Sequence, residues 1–359
     1  MKKKVTSSDI AKLAHVSQST VSRALDPSRA WRISPQKRAE ILALSKDHGY
    51  AVPSAGRTGT PKTFKVGLLL GSMEADLSDC RFMIRRLCDN LQANGYTLTL
   101  IRVDFSSRDM ARNVRRILNS SIADIYVIGS SLLSGQTVEL LHRISHRVIC
   151  FYTSNDYNSG KTRKFPPWLS SIRYDYENSF AEAVRQIPAG LLDEIIYFGT
   201  DREVSQERIS LLRKCLRGKP GISGKLPHLL FGSERHASGS DGYRITARIV
   251  RENLERLKTR RLYWCEGRVF ATALKDELEQ SGLVCGRDFE IVSFKEYSIL
   301  RRNYDIVDDD FCYLVINVDR FADRLCELIL SLVDDPTPKH AVVPIHFEMS
   351  RSLAEHLSK

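Results

Sequence analysis

The sequence predicts a small all-α module followed by an α/β body with parallel sheets, and three observations support this prediction. At 359 residues the chain is too long for one small domain. Two short helical patterns follow each other within residues 5–25, and a third begins at Ser34-Pro35. From Lys65 onward, short apolar runs alternate with amphipathic segments, the pattern of strands and helices in a parallel sheet.

The first helix is predicted from a cap and an apolar stripe. Thr6 or Ser7 is placed to accept hydrogen bonds from the first backbone amides. Ile10, Leu13 and Ala14 recur at i, i+3 and i+4, so we expect all three to face the interior.

The second helix follows after a short connection made by His15 and Val16. Ser17 is placed to cap it, and Val21 and Leu25 share its buried face. The other positions are polar and should point outward: Gln18, Ser19, Thr20, Ser22 and Arg23. Two short helices of this kind match the helix-turn-helix arrangement that enters a DNA major groove. The alternative is an ordinary helical hairpin with a polar surface.

A third helix should complete the module. Ser34-Pro35 combines a capping hydroxyl with proline at the first helical position, and Gly49 should end the helix. Its expected core face consists of Ala39, Ile41, Leu42 and Leu44.

Positive charge is concentrated in the same part of the chain. Residues 1–62 contain twelve Lys and Arg against four Asp and Glu, which is +8 of the chain's net +11. A dense basic segment indicates a polyanionic partner, because neutralising phosphates releases counterions. The alternative is a basic tail that only aids solubility.

The segment from Thr6 to Arg23 resembles the N-terminal DNA-binding module of the lactose/galactose repressor (LacI-type) family. The family pattern combines a threonine with DVA, AGVS and TVSR, and this chain has Thr6, Asp9-Ile10-Ala11, Ala14-His15-Val16-Ser17 and Thr20-Val21-Ser22-Arg23. The resemblance implies sequence-specific binding to a double-stranded DNA operator.

The resemblance also assigns roles within the module. It places Gln18, Ser19 and Arg23 at the positions that read bases in the major groove. Arginine can bind guanine through two hydrogen bonds and glutamine can bind adenine in the same way. Four hydroxyl groups suit contacts with the DNA backbone, namely those of Thr6, Ser17, Thr20 and Ser22.

Residues 53–64 are rich in Gly, Pro, Ser and Thr and are predicted to be a linker. The family resemblance implies a hinge helix here, with a leucine that wedges into the minor groove. This segment contains no leucine, and Gly56 and Gly59 each disfavour a helix by about 1 kcal/mol relative to alanine. Two alternatives remain: Arg57 enters the minor groove electrostatically, or the segment is a flexible tether.

The body, residues 65–359, should contain two similar lobes, because it has more strand and helix units than one sheet usually holds. Strands are predicted at 65–70, 96–103, 125–128, 148–152, 171–174, 195–199, 262–265, 290–294 and 313–318. Ligands in such folds bind beyond the carboxyl ends of the strands, so a cleft between the lobes is the expected ligand site.

Weaker family resemblance extends through the body and implies a periplasmic-binding-protein-like domain. Residues 172–175 are similar to the family's V-x-x-D entry to the second lobe, and residues 195–199 with Ser205 and Arg208 to its IAFIG, S and R segment. Residues 291–294 lie where the family has VVGF, and residues 344–353 are similar to its closing strand.

The family's effector anchors are partly altered in this chain. Arg208 matches an arginine that binds sugar hydroxyls or a carboxylate; the alternative is a surface salt bridge with Glu203 or Glu207. Glu266 lies in the place of an A-N-D motif, and Lys295 in the place of an acidic pair. Arg208, Glu266 and Lys295 are therefore candidate effector-binding residues. Lys295 together with Arg208 would favour an anionic or acidic ligand; the alternative is that Lys295 is a solvated rim residue.

Several classes of protein are disfavoured. No apolar run approaches the roughly 18 residues of a membrane span, and no signal peptide is apparent, so we expect a cytoplasmic protein. The eight cysteines are scattered without a CxxC pair, which favours reduced thiols over a disulfide or zinc framework. We expect no metal, no cofactor and no enzymatic activity.

These observations together predict a homodimeric, DNA-binding transcriptional regulator whose body, residues 65–359, binds a small metabolite between its lobes. The predicted DNA-binding domain spans residues 1–52 and the linker residues 53–64. The alternative is a constitutive or architectural DNA-binding protein whose body serves dimerisation or protein contacts without a ligand.

Overall fold

The computed structural model describes residues 5–25, 33–48, 50, 63–71, 78–103, 110–119, 123–129, 147–152, 168–200, 203–222, 226–231, 240–298 and 310–358. The chain divides into two compact units, Met1–Thr63 and Phe64–Lys359. Most of the predicted linker lies outside the described residues, so its hinge helix or flexible form stays a prediction, as do the domain boundaries.

The described residues of the first unit form three helices: α1 (Ser7–Leu13), α2 (Gln18–Leu25) and α3 (Pro35–Asp47). The N-cap of α1 is Thr6, whose side chain accepts from the Asp9 amide, while the Thr6 amide donates to Asp9 Oδ2 at 2.8 Å. This reciprocal capping box satisfies backbone donors that a helix start otherwise leaves without partners. The shared core consists of Ile10, Ala11, Ala14, Val21, Ala24 and Ile41.

Two predicted core faces are wrong in part. Leu13 is 44% exposed, whereas Ile10, Ala11 and Ala14 are the residues that α1 buries in the shared core. In α3, Ala39 is exposed and Leu42 is 41% exposed. The predicted Ile41 and Leu44 do contribute to the core, and the buried Ser45 lies one turn after Ile41 on the same face. The expected helix end at Gly49 lies outside the described residues.

The second unit alternates strands with helices along most of its length. Its elements are β1 (Lys65–Gly71), α4 (Ser78–Ala93), β2 (Thr97–Val103), α5 (Met110–Asn119), β3 (Ile125–Gly129), β4 (Val148–Tyr152), β5 (Ser170–Asp175), α6 (Tyr176–Gln186), α7 (Ala189–Leu192), β6 (Ile195–Thr200), α8 (Glu203–Arg217), β7 (His228–Phe231), α9 (Ser240–Glu252), α10 (Leu254–Leu257), β8 (Leu262–Cys265), α11 (Arg268–Gln280), β9 (Glu290–Tyr297), β10 (Cys312–Asn317), α12 (Val318–Asp334), β11 (His340–Pro344), β12 (His346–Glu348) and α13 (Arg351–Leu357).

These strands form two six-stranded sheets. The first has the order β11-β5-β4-β3-β1-β2, and all of its neighbours are parallel. The second has the order β12-β10-β9-β8-β6-β7, with only β12 antiparallel to its neighbour. All nine predicted strands are present, and the prediction of a two-lobed body with parallel sheets is confirmed.

Counted over the described strands, the chain passes between the two sheets three times. The first passage follows β5, where the Asp175 side chain caps α6 by accepting from the Asn178 amide. The second follows β10, where Asn317 caps α12. The third is the single residue Ile345 between β11 and β12. Each passage thus begins where a strand of one sheet ends, and the chain next enters a strand of the other sheet.

One hydrophobic core extends through both sheets. It joins Leu68 of β1 with Tyr197 of β6, Trp264 of β8 and Phe321 of α12, all of them buried. The eight cysteines, all of which lie in described parts of the chain, form no disulfide. Within those parts no helix has both the length and the apolar character that a membrane crossing requires.

Candidate functional site

The helix-turn-helix corner is built by a tight connection between α1 and α2. His15 has a φ of 50°, the left-handed conformation that turns the chain directly after the helix end. The Val16 amide returns to the Ala11 carbonyl at 3.0 Å, which closes the turn. Val16 packs against the shared core. The connection predicted at His15 and Val16 is therefore confirmed.

The outer face of α2 carries the predicted base-reading side chains. Val21 and Ala24 are buried against α1 and α3. Gln18, Ser19 and Arg23 are exposed on the remaining face. The structure thus brings the three predicted residues onto one accessible surface of the helix, which we call the α2 face.

Of the predicted backbone-contacting hydroxyls, those of Thr6, Ser17 and Thr20 lie near the starts of α1 and α2, and that of Ser22 lies in the middle of α2. Ser17 Oγ accepts from the Thr20 amide at 3.2 Å, which confirms Ser17 as the cap of α2. The Ser17 hydroxyl also lies 2.7 Å from Ser19 Oγ and 2.9 Å from Thr20 Oγ1. Thr6 Oγ1 donates to Asp9 Oδ2 at 2.6 Å. Ser22 is exposed. Helix N-termini with exposed hydroxyls suit phosphate oxygens.

Ser7 is a contributor to this surface that the sequence pattern did not identify. Its Oγ accepts a hydrogen bond of 2.8 Å from Gln18 Nε2, so the side chain of a predicted base reader is held by the first helix. The two residues are eleven positions apart, and no local spacing rule connects them.

A second candidate site lies at the carboxyl ends of β6 and β8, and we call its polar residues the Glu266 cluster: Thr200, Ser205, Arg208 and Glu266. Thr200 is the last residue of β6, and Glu266 directly follows β8. Glu266 Oε2 accepts from the Thr200 amide at 2.7 Å and from Thr200 Oγ1 at 2.9 Å. Glu266 Oε1 accepts from Ser205 Oγ at 2.8 Å.

Arg208 supplies the positive charge of the Glu266 cluster. Its Nη1 lies 3.9 Å from Glu266 Oε1, and the two side chains are only 14% and 11% exposed. The guanidinium carbon lies 4.6 Å from the ring centre of Phe294 and 5.2 Å from that of Tyr176. Arg208 is therefore largely buried beside Glu266, not at the exposed position that the alternative of a surface salt bridge expected.

Gly199 allows Glu266 to approach the backbone of β6. A Cβ atom on Gly199 would lie 2.5 Å from Glu266 Oε2 and 2.9 Å from the Tyr197 ring, closer than real contacts allow. Burial beside the Glu266 carboxylate also raises the pKa of the Tyr197 hydroxyl above its ordinary range. Only a residue without a side chain fits between these groups.

The structure does not bring Lys295 to Arg208. Side chains alternate along β9, so Phe294 faces Arg208 while Lys295 lies on the opposite face of the sheet, over the Tyr313 ring. Lys295 Nζ lies 3.6 Å from Glu348 Oε2. The expectation that Lys295 and Arg208 lie together at one ligand site is therefore wrong.

Comparisons with known proteins support the first site most directly. Residues 6–53 match the family described as bacterial regulatory proteins, lacI family. Over 180 residues the chain is 25% identical to the HTH-type transcriptional regulator GalR of Streptococcus thermophilus. That alignment covers 50% of this chain and 49% of GalR, so the chain spans about half the length of the curated relative it matches.

Solved structures with a similar fold cover nearly the whole chain. The transcriptional regulator CelR in complex with cellobiose has a TM-score of 0.60 at 16% identity, over 97% of this chain and 99% of that one. The lac repressor dimer bound to operator and the anti-inducer ONPF has a TM-score of 0.58 at 14% identity, over 98% and 99%. At these identities the likeness shows the fold, an N-terminal helical module followed by a periplasmic-binding-protein-like body.

Proposed function

We propose that this chain, whose residues 6–53 match the lacI family of bacterial regulatory proteins, is a sequence-specific DNA-binding transcriptional regulator. The observation that carries the proposal is the exposed α2 face on a helix-turn-helix that the family model matches along its length. The family resemblance expected from the sequence is confirmed by that match, and the family consists of transcriptional regulators.

In the proposed complex α2 lies in the major groove of double-stranded DNA. Arg23 and Gln18 contact base edges, and each good bidentate contact contributes about 1–3 kcal/mol of discrimination against a wrong base. Ser19 reads bases as well, while the hydroxyls of Thr6 and Ser17, with those of Thr20 and Ser22, bind backbone phosphates. We propose that two copies act as a homodimer, because paired recognition helices span about one turn of DNA.

For the body, we propose that a small metabolite binds in the cleft between the two sheets and changes DNA affinity. The fold supports this, since such sheets bind ligands beyond the carboxyl ends of their strands. A relative of the same fold was solved with cellobiose. A hydroxylated ligand is favoured over an acidic one, because Arg208 and Lys295 each face a carboxylate of this chain. Control requires that the ligand bind two conformations with different affinity.

Selection of bound duplexes from a random library tests the regulator proposal. A regulator enriches one recurring, two-fold symmetric sequence, and Arg23→Ala abolishes or relaxes the enrichment. Arg185→Ala, which removes an exposed arginine from α6, is the matched control and leaves the selected sequence unchanged. Enrichment of no sequence by the folded wild-type chain would contradict the proposal.

A second candidate function is constitutive DNA binding with a body that takes no ligand. The Glu266 cluster favours it, because the polar groups at the carboxyl ends of β6 and β8 bind each other. Titrating a metabolite panel into the complex with the selected duplex separates the two candidates: a saturable change in affinity with any member supports ligand control.

A further inference from the structure

The Glu266 cluster has the composition of a carboxylate-binding site. A backbone amide and a hydroxyl of Thr200, the hydroxyl of Ser205 and the guanidinium of Arg208 converge on one pair of oxygens. Thr200 is 2% exposed and Ser205 is fully buried, so these donors are held away from solvent. Charge-assisted hydrogen bonds from fixed donors are the stronger class of hydrogen bond.

The occupant of this site is a side chain of the protein itself. Both oxygens of Glu266 accept hydrogen bonds, and the Arg208 guanidinium lies beside one of them. A buried carboxylate is expensive unless donors and a counter-charge surround it, and here both are present. Because Glu266 follows β8 directly, it competes as an intramolecular ligand at high effective concentration.

The cluster also touches the segment where the chain first passes between the sheets. Arg208 Nη2 donates to Tyr176 Oη at 3.4 Å, and Tyr176 is the first residue of α6. The Tyr176 ring contacts Tyr174 at a centroid distance of 6.4 Å, and Tyr174 in turn contacts Phe321 of α12 at 4.6 Å. The arginine that holds the carboxylate therefore packs directly against the first passage and, through two aromatic contacts, reaches the helix of the second.

We propose that Glu266 is an internal ligand whose carboxylate permanently fills an anion site, so that free carboxylic acids do not bind at Arg208 in the wild-type protein. This inference rests on the proposed function, in that it defines which ligands the body of the regulator excludes. The proposal implies that removing the Glu266 side chain opens a binding site for a small monocarboxylate.

Thermal unfolding of the full chain, with sodium formate as the probe, tests the internal ligand. Sodium chloride at equal ionic strength is the reference. Glu266→Ala should lower the Tm by roughly 5–10 °C, because it removes the Glu266 carboxylate from beside the buried Arg208 charge. Formate should restore part of that loss, saturating in the millimolar range, and should leave the wild-type Tm at its chloride value.

Two further variants make the result specific. In Glu266→Ala combined with Arg208→Met the buried positive charge is gone as well, so this protein should be more stable than Glu266→Ala and should not respond to formate. Glu177→Gln, which removes the carboxylate of the exposed pair with Lys214, should change the Tm little and give no formate response.

If Glu266→Ala does not fold, the Tm of the wild type in formate and in chloride still tests the proposal. Stabilisation of the wild type by formate beyond chloride would overturn the internal ligand, and so would a formate response that persists without Arg208. The duplex selection tests the proposed function separately. If no sequence is enriched but the formate results are as expected, the proposal of a regulator is contradicted while the proposal of an internal ligand is supported.

Discussion

Gln18 Nε2 donates a hydrogen bond of 2.8 Å to Ser7 Oγ, which ties the first residue of α2 to the first residue of α1. The bond limits the rotamers of a proposed base reader before DNA arrives. Ordering a glutamine side chain costs up to about 2 kcal/mol of entropy, and a contact made in advance removes part of that cost from binding.

Ser7→Ala should therefore weaken binding to the selected duplex by about 2–10-fold, the effect of one hydrogen bond. The loss should be larger on the selected duplex than on random DNA, since Gln18 is proposed to read a base. Fluorescence anisotropy on both duplexes measures this. Ser8→Ala, at an exposed neighbouring position, is the control and should bind like the wild type. Equal losses on both duplexes would show that Ser7 does not act through Gln18.

Arg23→Ala and Lys4→Ala should affect DNA binding in different ways, the first through sequence discrimination and the second through overall affinity. Arg23 is proposed to bind a base, so its loss should reduce discrimination between operator variants by about 1–3 kcal/mol at one position. Lys4 belongs to the basic N-terminal run, so its loss should weaken all sequences alike and reduce the salt slope by about one. Affinities at several salt concentrations distinguish them. Uniform losses for Arg23→Ala would move Arg23 from base reading to phosphate binding.

Gly199→Ala should destabilise the protein by about 1–3 kcal/mol, because its Cβ would overlap Glu266 Oε2 and the Tyr197 ring. Gly190→Ala is the matched control: Gly190 lies in α7, and its added Cβ meets nothing within 4 Å. That substitution should be neutral or stabilise by up to about 1 kcal/mol. Chemical denaturation of both variants measures their free energies of unfolding. If Gly199→Ala has the same free energy of unfolding as the wild type, Glu266 can move away from the new Cβ atom without energetic cost.

The stability of the protein should depend on pH in part through the ionisation of Glu290, the first residue of β9. Burial raises the pKa of this carboxyl, although Ser350 and Ser352 each donate to it at 2.9 Å. A carboxyl whose pKa is raised by folding favours the folded state below its unfolded pKa of about 4.3, and this contribution is lost as pH rises through the folded pKa.

The stability of Glu290→Gln relative to the wild type should consequently increase as pH rises. The difference in Tm between variant and wild type should become more positive from pH 4 to pH 8, because the neutral amide carries no charge to bury. Thermal scans across this range measure the difference. Ser352→Ala removes one donor to the Glu290 carboxylate, so in that background the Tm difference between Gln and Glu at position 290 should rise more steeply with pH. A difference that does not vary with pH would contradict the raised pKa.

Local pattern was sufficient to predict much of this fold. The nine predicted strands consist of apolar runs with clear boundaries, and the caps at Thr6 and Ser17 follow from hydroxyls placed before helices. Strand β7, His228–Phe231, was not predicted because four residues after a Gly-rich stretch carry little periodicity. The exposure of Leu13 depends on how closely helices approach, which a single stripe does not encode.

The candidate effector site was harder to predict than the fold. Sequence identified Arg208, Glu266 and Lys295 but not their partners, because Glu266 and Arg208 are 58 positions apart and are joined only by the sheet order β6-β8. Lys295 was grouped with Arg208 although adjacent strand residues face opposite sides, and the sequence does not show which side of β9 faces α8. Such long-range pairings depend on tertiary structure.

The third passage between the sheets is a single buried residue, Ile345, with β11 ending at Pro344 and β12 beginning at His346. Two consecutive virtual bonds span at most about 7 Å, so these strand ends remain neighbours whatever the two lobes do. Any rotation of one lobe on the other must therefore leave this point nearly fixed, which makes it a pivot alongside the other two passages, and displacements grow with distance from it. Inserting two glycines after Ile345 would release the pivot and should broaden the range of lobe angles seen by small-angle scattering.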